Sequence, residues 1–182
     1  MKLSLFFVLC GFLVVATSGQ STLPASLKKL GVAVANVAKT VKANIATVQL
    51  LGGTTVVTAL QKLEADTETF STTLSNNAVD LTQVLSGTVT RAQAKAAFNS
   101  LTAAVKKLNT DLKAGFKTKS PQLLINAMTA FYETVAPTVT QIVTLLQNTP
   151  GTASYNVLTG INTLIADASA LAAAVQGIAL SG

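Results

Sequence analysis

The chain predicts an all-α fold, an antiparallel bundle of about five long amphipathic helices. Three observations lead there. Apolar residues recur at alternating steps of three and four through nearly the whole length. Gly, Pro and capping residues interrupt that rhythm at a few points. The most conspicuous interruption, "VQLLGGTTVVTALQKL" at residues 48–63, lacks the period-two alternation that a strand hairpin would show on its flanks.

Residues 1–19 read as a secretory signal. Lys2 supplies the positive start, Leu3 to Val15 the apolar run, and Ala16-Thr17-Ser18-Gly19 the small residues of a cleavage site. The apolar run is shorter than the roughly 20 residues that span a bilayer, which argues against a membrane anchor. Cleavage leaves Gln20 at the new N-terminus and removes Cys10, the single cysteine. Residues 20–182 are then one helical-bundle domain without a disulfide, long enough to bury its own core.

The first helix carries Leu27, Leu30, Val34, Val37, Val41, Ile45 and Val48 on one stripe. Gly52-Gly53 ends it and joins it to a second helix with Val56, Leu60, Leu63, Thr67, Phe70, Leu74, Ala78, Leu81 and Val84. Gly87 stops the second helix. Thr90-Arg91-Ala92-Gln93 then reads as a capping box for the third, whose stripe is Phe98, Leu101, Val105, Leu108, Leu112 and Phe116. Ser120-Pro121 is an N-cap followed by proline at the first helical position. The fourth helix shows Leu124, Met128, Phe131, Val135, Ile142 and Leu145, with Pro137 predicting a kink or break near Val135. Pro150-Gly151 separates it from the fifth, which runs from about Thr152 to Ala179 with Leu158, Ile161, Ile165, Ala168, Ala172 and Val175. Five such helices joined by short loops pack antiparallel to hide their stripes.

Charged residues make up 11% of the chain, against roughly 25% in ordinary domains. The basic excess is spread thinly along the sequence and contains one arginine, Arg91, which argues against nucleic-acid binding. Lys113, Lys117 and Lys119 are read as solvating a helix end, where they suit the macrodipole; an anionic polysaccharide or lipid headgroup is the alternative there. The chain has no histidine, so with Cys10 removed it offers no imidazole base, no thiol nucleophile and no N or S metal ligand. Glu64, Asp66 and Glu68 are the local carboxylate cluster, read as a solvated face partnered by Lys62. No catalytic, cofactor-binding or metal site is expected, and the enzyme reading is set aside.

The polar faces are built mainly of Thr, Ser, Asn and Gln, as in "TETFSTTLSNN" and "VTQIVTLLQNT". Such groups approach an apolar phase at lower cost than ions do. A neutral extracellular spacer, glycosylated on threonine, explains the same composition. No N-x-[ST] acceptor is present.

The Gly-Gly joint ("LLGGTTVVTALQKL"), the Ser/Thr/Ala-rich second helix, the third helix ("TVTRAQAKAAFNSLTAAVKKL") and the Leu/Ala/Thr-rich tail resemble the fungal hydrophobic surface-binding proteins, also called cell-wall galactomannoproteins. The likeness covers about residues 27–147. It implies a secreted or cell-wall protein, without catalytic residues, that adsorbs to hydrophobic surfaces. The insect exchangeable apolipoproteins of the apolipophorin type are similar in being cysteine-free five-helix bundles, and imply a bundle that opens on lipid. Under either resemblance Gly52 and Gly53 form a hinge, and opening exposes Val34, Val37, Val41, Ile45, Val57 and Leu60. The expected partner is a hydrophobic surface or lipid, with a cell-wall polysaccharide as a further option. Neither a cofactor nor a transmembrane segment after cleavage is expected.

Overall fold

The computed structural model describes residues 22–49, 53–85 and 87–181. The signal segment 1–19 and Gly52 lie outside them. The described residues form five α-helices: α1 (Leu23–Gln49), α2 (Thr54–Val84), α3 (Thr88–Thr118), α4 (Pro121–Gln147) and α5 (Thr152–Ser181).

The helices close into a ring in the order α1, α2, α5, α4, α3. Short connections make consecutive helices run in opposite directions, and cross-helix contacts confirm it. Along α1 and α2, Ser71 Oγ donates to the Gly31 carbonyl at 2.8 Å and Lys42 pairs with Glu64 at 3.2 Å. Along α2 and α5, Lys62 pairs with Asp167, Phe70 lies over Gly160, and Asn156 donates to Asn77. In both pairs one residue number rises as the other falls. Alternation cannot continue all the way round a ring of five, so one adjacent pair is parallel. That pair is α1 and α3, tied by a 2.6 Å hydrogen bond from Thr40 Oγ1 to Asn109 Oδ1.

The core lies inside the ring. The predicted stripes of α1, α2 and α3 are buried almost as spaced, including Phe70, Phe98 and Phe116, with Phe131 joining them from α4. Five local expectations are corrected. At the end of α2, Val84 is exposed and Leu85, one step on, is buried. The Thr90 capping box does not form: α3 begins at Thr88 behind Gly87, whose φ of 85° only glycine adopts readily. Arg91 is therefore inside α3, and its Nε donates to the Leu85 carbonyl at the end of α2. Of the kink or break predicted near Val135, the break does not occur, and Pro137 sits within continuous α4. Glu133 and Pro137 are both exposed, so the carbonyl that loses its N–H partner faces solvent.

The fourth correction concerns α5. Its buried set is Ala153, Val157, Ile161, Leu164, Ala168, Leu171 and Val175, while Leu158, Ile165 and Ala172 are only partly buried. Leu146 likewise takes the deepest place that Leu145 was assigned on α4. α5 is apolar on several sides and, by length and composition alone, could cross a membrane. Several faces thus compete for the core, and packing against α2 and α4 selects one. Ser120 caps α4 as expected, accepting from the Leu123 N–H, with Pro121 behind it.

Tight packing at the seams makes glycine necessary. A Cβ on Gly160 would fall 2.1 Å from Phe70 Cδ2, and one on Gly115 2.6 Å from Leu124 Cδ2. Gly160→Ala is expected to destabilise the bundle by about 1–3 kcal/mol. Gly177→Ala, with nothing within 4 Å, is expected to be neutral or to stabilise by up to about 1 kcal/mol. Urea unfolding of the two variants checks the contrast.

Candidate functional site

The Gly-Gly joint is represented in the structure by Gly53, which is buried and immediately precedes α2. A Cβ on Gly53 would meet Ile178 Cδ1 at 2.6 Å, so the end of α5 closes over the joint. Beside it Val48, Val56, Phe116, Leu124, Val175 and Ile178 wall a small, nearly all-apolar cleft of about 60 Å³ that opens to solvent. The six residues expected to meet a surface on opening are brought together in the core. Val34, Val37, Val41 and Leu60 are fully buried there, while Ile45 and Val57 are half-buried against them. Val34, Val37, Val41 and Leu60 are inaccessible while the ring is closed.

A different surface is already outside. α4 and α5 carry no Lys or Arg, and their acidic residues are Glu133 and Asp167. Asp167 is buried, which leaves Glu133 as the charged side chain on the outer side of these two helices. The exposed residues include Leu123, Tyr132 and Tyr155, at 40%, 49% and 69% exposure. Thr134, Thr140, Thr144, Ala166, Ala170 and Ala173 are exposed on the same two helices. The threonine hydroxyls do not reach for water with their protons. Thr134, Thr140 and Thr144 donate to the carbonyls of Ala130, Ala136 and Thr140 at 2.7, 3.0 and 2.9 Å. Thr58, Thr69 and Thr72 do the same on α2. This internal bonding explains how threonine is accommodated in helices it does not favour, and it leaves the methyl groups as the less hydrated part of the face.

The opposite polarity gathers on α1 and α3. Of the thirteen Lys and Arg residues, all but Lys2 and Lys62 lie on these two helices or, as Lys119, directly after α3. Their single acidic residue is Asp111, paired with Lys107. What reads as thin positive charge along the chain becomes one basic side, because the parallel packing of α1 and α3 skips α2. Lys117 lies in the last turn of α3 and Lys119 forms its left-handed C-cap, as the helix-end reading expects.

The carboxylates do not act as one cluster. Glu64 pairs with Lys42 of α1, while Lys62 holds both Asp66 and the buried Asp167 of α5. The sequence gives Asp167 no local partner, so its role was missed. The signal available was a lone carboxylate in a long apolar helix. Burial pushes the Asp167 carboxyl up to about 6, the adjoining Asp66 carboxyl adds to the rise, and the Lys62 ammonium opposes it. Asp66 is lowered, chiefly by the hydrogen bond Asp167 offers it when protonated. Asp167 Oδ2 has no partner otherwise.

Compared with known proteins, the chain matches no family model, no curated protein and no solved structure.

Because the folded carboxyl of Asp167 binds its proton more tightly than the ordinary carboxylate, protonation favours the folded state. Stability is therefore expected to fall as pH rises from about 4 through 6, by an amount on the order of 2 kcal/mol. In Asp167→Asn this fall should disappear. Urea unfolding at pH 4, 5, 6 and 7 checks both; an unchanged slope in the variant contradicts the assignment.

Proposed function

We propose that this chain is a secreted, non-enzymatic, surface-active protein that adsorbs to apolar surfaces through the cation-free, sparsely charged outer side of α4 and α5. The observation that carries the reading is the combination on that face: no cation, one exposed carboxylate, two exposed tyrosines and threonines whose protons are already bonded. Moving ionised groups toward oil or plastic costs several kcal/mol each unless they are paired, and this face has almost none to move. Burying what remains exposed of Leu123, 40% of the residue, returns about 1 kcal/mol. The resemblance in layout to the hydrophobic surface-binding proteins implies the same behaviour.

A second reading is supported by the apolar cleft beside Gly53. There the core is open to solvent, at the end where α1 would swing away about Gly52 and Gly53 to offer Val34, Val37, Val41 and Ile45 to lipid. The two readings differ in whether the bundle stays closed. A neutral extracellular spacer remains the contrasting case, with no affinity for apolar surfaces.

Adsorption of residues 20–182 to polystyrene and to bare silica, at low and high salt, tests the proposal. Binding to polystyrene that resists salt, with helix content kept by circular dichroism, is expected. Leu123→Lys/Tyr132→Lys/Tyr155→Lys should weaken it at least tenfold, and Gly52→Ala/Gly53→Ala should leave its rate unchanged. Slower adsorption of the glycine variant with its fold intact favours opening instead. Binding to silica alone, abolished by salt, or to neither, overturns adsorption to apolar surfaces.

A further inference from the structure

We infer that the basic side formed by α1 and α3 is a second binding site, one for a linear acidic polysaccharide. Lys95, Lys106, Lys113 and Lys117 are separated by eleven, seven and four residues, which places them within about 40° of one another on the helix. They form a stripe about 33 Å long. Asn109, which bonds Thr40 of α1, lies on the adjoining flank, so the stripe runs beside the parallel seam. α1 adds the exposed Lys28, Lys29 and Lys39. Among the described residues, ion pairs engage Lys42, Lys62 and Lys107, and none involves Lys106, Lys113 or Lys117.

Folding gains little from this arrangement. Like charges gathered on adjacent helices repel. Lys28 and Lys29 also stand near the start of α1, which has no acidic residue in its first turn to suit the helix dipole. A bound polyanion would relieve both costs.

The shape and chemistry of the stripe choose among polyanions. Its length suits an extended chain rather than a single ion. Exposed Asn99 and Thr110 lie beside the lysines and offer neutral hydrogen-bonding groups to sugar hydroxyls. Nucleic acid is disfavoured, because α1 has no aromatic residue, those of α3 (Phe98 and Phe116) are buried, and the one arginine is Arg91. A bilayer is disfavoured because no large exposed apolar residue lies on α3 between Lys95 and Lys117. This site is separate from the sparsely charged side of α4 and α5, and its test does not depend on adsorption to apolar surfaces.

The probe is polygalacturonate, titrated into residues 20–182 at low salt and followed by calorimetry and thermal shift. The expected result is binding that weakens with salt, a raised unfolding temperature, and no response to galacturonate monomer or neutral dextran. Replacing Lys95, Lys106, Lys113 and Lys117 by Gln should weaken binding at least tenfold with circular dichroism unchanged. Moving the same charge to α2, by adding Gln61→Lys, Ala65→Lys, Thr72→Lys and Asn76→Lys to that variant, should not restore it. Restored binding means that net charge alone is recognised and overturns the site. Absence of binding to polygalacturonate overturns it as well, as does a preference for single-stranded DNA or phosphatidylserine vesicles.

Discussion

Five helices whose directions alternate along the chain cannot close into a ring without placing two parallel helices side by side. In this protein the parallel neighbours are α1 and α3, and much of the molecule follows from that pairing. It brings the two lysine-bearing helices together, leaves α2 and α5 to close the ring through the Phe70–Gly160 contact, and sets α4 beside α5. α1 consequently lies across the ring from the α4/α5 edge. A chain with little charge thereby acquires one basic side and one side with almost no charge.

The two sides make different physical demands. The sparsely charged side keeps its hydroxyl protons bonded to the carbonyl four residues back, so that contact with an apolar phase strips away little hydration. The basic side holds lysines outward where water and salt screen them. Segregation of this kind fits the proposed adsorption, in which the ions stay in water. A bundle with lysines evenly distributed would have to desolvate some of them in every orientation.

Within the seam between α2 and α5, close packing and ionisation act together. Phe70 over Gly160 brings the helices near enough that Asp167, on α5, is buried against Lys62 and Asp66 of α2. A carboxylate held there by one ammonium is poorly solvated, which is why its proton is retained to higher pH. The same seam carries the Asn156–Asn77 hydrogen bond closer to the other end, so polar contacts flank the aromatic one and fix the register.

The five-helix architecture, the stripes of α1 to α3, the Ser120-Pro121 start of α4 and the burial of the four phenylalanines were legible in the sequence. Helical periodicity and local capping chemistry depend on residues close along the chain. The failures came where local rules left a choice. Thr90 can cap a helix, but glycine at position 87 with positive φ lets α3 begin earlier. Pro137 usually breaks a helix, but on an exposed face the orphaned carbonyl is not trapped in the core. α5 is apolar on several sides, so periodicity alone could not say which one turns inward. The sequence by itself determined how many helices form and which residues fill most of their inner faces. Only the tertiary structure decided which helices are neighbours. It thereby decided that the lysines of α1 and α3 gather on one side, that Asp167 meets Lys62, and that the two helices without a cation lie together, because each of these requires groups far apart in the chain to share a surface.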